Sequence, residues 1–97
     1  MPAYVIASIE VTDPVLYEDY RRQVAATIAA HGGRFLVRGG ASQLLEGGPL
    51  PPRSVVLEFP SMAQLQAWYH SPAYQPLIAL RQRASRGTLI AVEGAAP

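Results

Sequence analysis

Two histidines, a set of arginines and a group of aromatic side chains are the residues of this sequence whose types could do chemistry. Arg38 lies in the stretch GGRFLVRGG, residues 32 to 40, at the end of a short, mainly apolar run that glycine pairs flank. Its planar guanidinium group could bind a carboxylate or an enolate through two parallel hydrogen bonds. An ion pair with Glu58 or Glu46 across the sheet is the structural alternative, and the two roles can coexist.

His31 is the second predicted catalytic residue, beside Arg38. It lies at the end of the first predicted helix, where a general base would need a pKa near the working pH and access to a pocket. The alternative is structural, because an imidazolium group at a helix C-terminus interacts favourably with the helix dipole. His70 also ends a predicted helix, and the same two alternatives apply to it.

Several aromatic side chains could form a wall around a flat ligand, with tyrosine hydroxyls as hydrogen-bond donors. Aromatic residues at helical spacing also pack in cores, and that alternative stays open for each of them. The residues predicted to bind substrate are Tyr17, Tyr20, Arg38, Glu58, Trp68, Tyr69 and Tyr74. Tyr17 and Tyr20 are three residues apart, so they share one flank of a helix and could reach one site together.

Composition excludes several other chemistries. The chain has no cysteine, and its eight basic residues are all arginines, so thiol nucleophiles, disulfides and lysine Schiff bases are excluded. Two distant histidines and two aspartates give no metal-ligand spacing. No glycine-rich loop stands between a strand and a helix as a phosphate cradle requires. We therefore predict no metal and no organic cofactor.

Length and charge limit the remaining classes. With 97 residues the chain is predicted to form one domain over 1–97, with a flexible tail at 94–97. A formal net charge of +1, spread along the chain, does not favour nucleic-acid binding. The apolar runs are too short to span a membrane, and no signal peptide is recognisable. We expect a cytoplasmic protein without a nucleic-acid or membrane partner.

The hydrophobic pattern predicts an α+β fold with strands and helices in the order β-α-β-β-α-β, the ferredoxin-like arrangement, with an antiparallel four-stranded sheet. The predicted strands are 4–11, 34–38, 54–59 and 88–92. The first helix begins after the cap Asp13 and ends before Gly32, and the second begins after the cap Ser61. Pro76 is predicted to open a last helix.

Two further details are expectations about loops. The segment SQLLEG, residues 42–47, is predicted to pair briefly as a strand before the glycine- and proline-rich loop. Gly87 is predicted to end the last helix, and Gly39 and Gly40 to let the chain bend after Arg38.

Strict alternation along the strands predicts two different sheet faces. One face is continuously apolar and suits packing against the helices; it is predicted to include Phe35 and Val37. The other mixes large apolar groups with isolated charges, and is predicted to carry Arg38 and Glu58. Such a face suits neither water nor a plain core. It therefore either packs against a second subunit or lines a pocket.

Taken together, the stretches YVIASIEVTDPVLYEDY, GGRFLVRGG, EFPS and WYHSPAY resemble the domain of unknown function 1330 family, within the dimeric α/β-barrel superfamily. The resemblance covers about residues 2 to 94. It implies a homodimer, or a higher even oligomer, in which two sheets pack face to face into a barrel beside a small-molecule cavity. One departure is His70, where similar sequences often carry a carboxylate.

The superfamily includes cofactor-free monooxygenases and small-molecule isomerases, so the resemblance implies activities of these classes by fold analogy. Three hypotheses follow. The protein is an enzyme acting on a small oxygenated or aromatic acid, a non-catalytic binding module that uses the same pocket, or a purely structural dimer.

Overall fold

The predicted order of strands and helices is confirmed by the computed structural model, which describes residues 1–96. The three predicted helices are all present, and the second and third follow one another before the last strand. The strands and helices are, in chain order, β1 (Ala3–Val11), α1 (Pro14–Ala29), β2 (Arg34–Arg38), β3 (Arg53–Phe59), α2 (Met62–Tyr69), α3 (Gln75–Ala84) and β4 (Ser85–Glu93). No helix among the described residues has both the length and the apolar character to cross a membrane.

The four strands form one antiparallel sheet in the order β2-β3-β1-β4, the ferredoxin-like topology. The inner strand β1 contributes Val5, Ala7 and Ile9 to the core, and β3 contributes Leu57 and Phe59. The three helices bury their apolar residues against this one face of the sheet. The opposite face, called the open face below, has no covering element among the described residues.

Side-chain caps begin two of the helices as predicted. The Asp13 carboxylate accepts hydrogen bonds from the backbone N–H groups of Val15 and Leu16, each at 3.1 Å. The Ser61 hydroxyl accepts from the Gln64 N–H at 3.2 Å. Both caps satisfy donors that the first helical turn leaves unpaired. Gly32 follows α1 with φ +76°, the left-handed conformation that glycine adopts most easily.

Two loop predictions are wrong. Residues 42–47 form no strand, and the chain from 40 to 52 has neither helix nor strand. Gly87 does not end a helix but lies inside β4, since α3 passes directly into the strand. A Cβ atom on Gly87 would lie 1.9 Å from the carbonyl oxygen of Ser8, so glycine is needed there for close approach of two strands.

A β-bulge in β2 changes the predicted faces of that strand. Phe35 pairs with Leu57 and Val37 with Val56, which leaves Leu36 as an extra residue between them. Because directly opposed residues project to the same face, Val37 lies on the open face. The prediction that Val37 packs under the helices is therefore wrong.

Arg38 is displaced by the same bulge to the helix-covered face. It pairs with Val55, which in turn pairs with the buried Ala7 of β1. The prediction that Arg38 shares a face with Glu58 is wrong, because an extra residue shifts the alternation of everything that follows it.

The C-terminal segment begins with a backbone contact to the start of β1. The Gly94 N–H donates to the carbonyl oxygen of Pro2 at 2.8 Å. Residue 97, the last of the predicted flexible tail at 94–97, lies outside the described residues.

Candidate functional site

A cavity of about 40 Å³ lies between the sheet and the helices. The cavity is open to solvent on one side. Its walls are mainly apolar and aromatic. The polar and aromatic residues that line it are Tyr17, Tyr20, Arg21, Phe35, Arg38, Arg53, Trp68, Tyr74 and Arg81.

Arg38 reaches the cavity from the end of β2. Its Nη2 donates to the carbonyl oxygen of Arg21 on α1 at 2.8 Å, and its guanidinium carbon lies 4.1 Å from the centroid of the Phe35 ring. Partial burial, followed by the nearby charges of Arg21 and Arg53, lowers the pKa of Arg38. An anion bound here would offset that repulsion.

Arg53 enters from the start of β3, at the other end of the 40–52 loop. Its guanidinium carbon lies 5.4 Å from the centroid of the Tyr17 ring. The Nε atom of Arg53 is buried and has no acceptor among the described residues. Buried polar groups in proteins are nearly always paired, so a buried guanidinium nitrogen without an acceptor suggests that a ligand supplies one.

Gly39 makes room for the Arg53 side chain. A Cβ atom at position 39 would lie 2.1 Å from Nη1 of Arg53, and Gly39 has φ +71°. Both the backbone conformation and the close approach require glycine. Gly40, by contrast, would meet nothing within 4 Å. The glycine after the strand therefore has a definite role in the site.

Two buried tyrosine hydroxyls form another part of the wall. The oxygens of Tyr20 and Tyr74 lie 2.8 Å apart, and either can be the donor. Burial raises the pKa of both hydroxyls above the ordinary value, so both are neutral at neutral pH. The positive charge of Arg81 acts in the opposite direction on both pKa values. Like Arg53, Arg81 has a buried Nε atom without an acceptor among the described residues.

The charged residues that line the cavity are all positive. Four arginines line it, and no carboxylate does, among the residues that the structure describes. Arg21 approaches Glu18 at 3.6 Å, but both side chains are about half exposed, so the pair is weak. The site combines fixed positive charge with an apolar, aromatic wall.

Five of the predicted site residues come together at this cavity: Tyr17, Tyr20, Arg38, Trp68 and Tyr74. Trp68 and Tyr74 are almost fully buried, at 1% and 0% exposure, with ring centroids 4.2 Å apart. They therefore also serve the core, which was the alternative interpretation. Glu58 lies on the open face instead, where it accepts hydrogen bonds from Arg34 at 2.9 Å and from Tyr4 at 3.1 Å.

The remaining predicted residues lie outside the cavity lining. His31 is half-buried at the end of α1, with Nδ1 3.0 Å from the carbonyl oxygen of Thr27. The Thr27 hydroxyl accepts a hydrogen bond from the Trp68 indole at 3.0 Å, so Thr27 links His31 to the cavity wall. Tyr69 and His70 line a separate groove between α2 and β4.

Sequence reasoning missed three of the four cavity arginines. Arg81, in the last turn of α3, lines the cavity with its Nε buried. Arg21 lies four residues after Tyr17, so helical spacing could have placed both on one face. No local sequence pattern points to Arg53, because Gly39, its neighbour in space, is brought close to it only by strand pairing. No group of three potential metal ligands occurs among residues 1–96.

A family model described as a domain of unknown function, DUF1330, matches residues 2–95. The chain belongs to the DUF1330 family. The resemblance inferred from the sequence is thereby confirmed. No curated protein sequence matches this DUF1330 chain significantly.

Solved structures share the fold of this DUF1330 protein. RPA0582, a protein of unknown function from Rhodopseudomonas palustris, has a TM-score of 0.77 and 20% identity over 99% of this chain and 84% of that one. SnoaB from Streptomyces nogalater, described as a cofactor-independent oxygenase, has a TM-score of 0.67 and 13% identity over 99% and 95%.

An antibiotic biosynthesis monooxygenase gives a TM-score of 0.59 and 13% identity, over 99% of this chain and all (100%) of that one. At these identities the similarity shows the ferredoxin-like fold alone.

Proposed function

We propose that this DUF1330 protein binds a small organic anion in the cavity between its sheet and its helices. The observation that carries the proposal is the lining: four arginines face an apolar and aromatic cavity to which no described carboxylate contributes. A guanidinium group in such a setting binds a carboxylate strongly, because both hydrogen bonds are charge-assisted and only partly exposed to water. The aromatic rings would enclose the apolar part of the ligand.

The proposal can be tested on two arginines of the same strand. Arg38 lines the cavity, whereas Arg34 lies on the open face and pairs with Glu58. We expect benzoate or butyrate at millimolar concentration to raise the unfolding midpoint of the wild type. Arg38→Gln should weaken binding by about tenfold or more, since a charge-assisted pair is lost.

The matched control is Arg34→Gln, which makes the same change on the same strand. It should leave the dissociation constant unchanged within error. Absence of any midpoint shift in the wild type, or an equal loss of binding in both variants, would contradict the proposal.

A cofactor-free oxygenation of the bound acid is the second candidate function. It is supported by the arrangement of Arg81 beside the Tyr20 and Tyr74 hydroxyls, which could stabilise an enolate or phenolate oxygen of the substrate. SnoaB, which shares the fold, is described as a cofactor-independent oxygenase. Oxygen uptake with phenolic and β-keto acids after EDTA treatment tests this activity. Binding of these acids without oxygen uptake or product would instead support the non-catalytic module.

The open face supports a homodimer or a higher even oligomer. Its exposed apolar residues are Ile6, Leu36, Val37, Ile90 and Val92. An antiparallel sheet face exposed to water is normally polar, so a contiguous apolar face of this kind favours burial against a second copy. The same packing would provide the barrel that the family resemblance implies. A purely structural dimer would keep this interface and bind no anion.

A further inference from the structure

Three of the cavity arginines fall into two positions according to the elements that carry them. Arg38 and Arg53 are carried by the sheet strands β2 and β3, beside Tyr17 and next to the backbone of Arg21. Arg81 is carried by α3, the helix that also begins next to Tyr74. The cavity therefore receives positive charge both from the sheet and from a helix layer.

Each position contains a guanidinium nitrogen that lacks a hydrogen-bond acceptor among the described residues. The Nε atoms of Arg53 and Arg81 are both buried, and neither has an acceptor among the described residues. The pKa values agree with two neighbourhoods: Arg38 is affected by Arg21 and Arg53, whereas the Arg81 charge acts on the hydroxyls of Tyr20 and Tyr74. One carboxylate at the sheet position would leave the Arg81 Nε atom without an acceptor.

The rings of three tyrosines connect the two positions. Tyr17 and Tyr20 have centroids 5.7 Å apart, and Tyr20 and Tyr74 have centroids 6.5 Å apart. Arg53 lies over the first ring of this row. The positive charge of Arg81 acts to lower the pKa of the hydroxyls on the last two rings. The short apolar middle of a ligand would lie along the row.

We infer that the natural ligand of this cavity is a small molecule with two acidic groups, one bound by Arg38 and Arg53 and the other by Arg81. The inference rests on the proposed anion binding and adds the number of charges that the ligand carries. The second acidic group can be a carboxylate, an acidic enol or an acidic phenol, because each supplies a negative charge to Arg81.

Two matched series of probes test the inference by isothermal titration calorimetry at fixed ionic strength. The dianions are malonate, succinate and glutarate, and the monoanions are propionate, butyrate and valerate. We expect one dianion to bind about tenfold or more tightly than the monoanion of equal chain length, because it makes a second charge-assisted contact. The preferred length would report the gap between the two arginine positions.

Variants of α3 identify the second contact. Arg81→Gln should reduce the affinity for the preferred dianion to that of the monoanion and change monoanion binding less than about threefold. Arg81→Lys should restore part of the difference, and Arg83→Gln, an exposed change on the same helix, should have no effect. Circular dichroism checks that each variant folds. If Arg81→Gln does not fold, Arg81→Lys provides the test.

The outcomes separate this inference from the proposed function. Equal binding of monoanions and dianions by the wild type would overturn the two-acid ligand and leave the anion site intact. Dianion preference that survives in both Arg81 variants would also overturn it. If neither series binds, the proposed anion binding fails, and this inference fails with it.

Discussion

Gly39 shows at the scale of a single residue how backbone and charge are coupled in this protein. It has positive φ, and the Arg53 guanidinium group occupies the space that a side chain would need. The adjacent Gly40 has no neighbour within 4 Å. The pair of glycines therefore contains one position that the site requires and one that it does not.

We predict that Gly39→Ala destabilises the protein by about 1–3 kcal/mol, because alanine is strained in the left-handed region. It should also weaken anion binding, since its Cβ displaces Arg53. Gly40→Ala is the control and should change neither quantity. Urea unfolding and titration calorimetry measure both effects. Equal stability and affinity of the two variants would show that Arg53 does not depend on Gly39.

The Tyr20–Tyr74 pair makes the free energy of unfolding depend on pH in the alkaline range. Burial raises both pKa values in the folded protein above the value of 10.0 that an exposed tyrosine has. The stabilisation is fully present below pH 10, where both states keep their protons. Above pH 10 the unfolded chain loses protons that the folded chain retains, so the free energy of unfolding falls as the pH rises.

We expect this loss to approach about 1.4 kcal/mol per pH unit for each tyrosine that is deprotonated in the unfolded chain and still protonated in the folded one. Urea unfolding between pH 9 and pH 11 measures the slope. The double variant Tyr20→Phe/Tyr74→Phe should have a smaller slope, while each single variant leaves one buried hydroxyl without its partner. A wild-type slope equal to that of the double variant would rule out the pair as its cause.

At the scale of secondary structure, the bulge in β2 decides what Arg38 can do. Regular alternation would place Arg38 on the open face with Glu58. The extra residue Leu36 shifts the register, so that Arg38 opposes Val55 and faces the helices. Glu58 pairs with Arg34 instead. The strand thus presents one arginine to each face.

Deleting Leu36 tests this description of β2. The shortened strand would pair regularly, with Val37 still opposite Val56 and Arg38 still opposite Val55. We therefore expect anion affinity to change by less than about threefold, although the local twist of the strand changes. Titration calorimetry with the tightest-binding carboxylate measures it. If β2 were instead regular in the native protein, Arg38 would start on the open face and the deletion would turn it toward the cavity, so a clear gain in anion affinity would contradict the bulge.

At the scale of the whole molecule, the open face is the feature that a single chain leaves uncovered. Ile90 is 53% exposed and Ile6, its partner across the β1–β4 pairing, is 41% exposed. A small domain buries a limited share of its surface, so covering this face would add substantially to its stability.

We predict that Ile90→Glu shifts the protein from dimer to monomer, because it places a charge inside the proposed interface. Val15→Glu introduces the same charge at a position that is 80% exposed on the first turn of α1, and it should remain dimeric. Native mass spectrometry or sedimentation velocity at micromolar concentration reads the subunit count. A monomeric wild type would contradict the proposed dimer.

The sequence by itself determined what depends on local patterns. The strand and helix order follows from periodicity, the caps Asp13 and Ser61 from their side-chain oxygens, and the turn at Gly32 from its freedom to adopt positive φ. The aromatic residues and Arg38 were recognised as candidates because their chemistry is a property of the residue type.

The tertiary structure alone decided which of these residues meet. A single bulge residue reversed the face of Arg38, and no local pattern distinguishes Leu36 from a regular strand residue. Arg53 and Arg81 join the cavity through strand pairing and helix packing between residues far apart in sequence. The physical reason is that a site is defined by distances in space, and those distances depend on long-range strand register. Short-range propensities carry no information about that register.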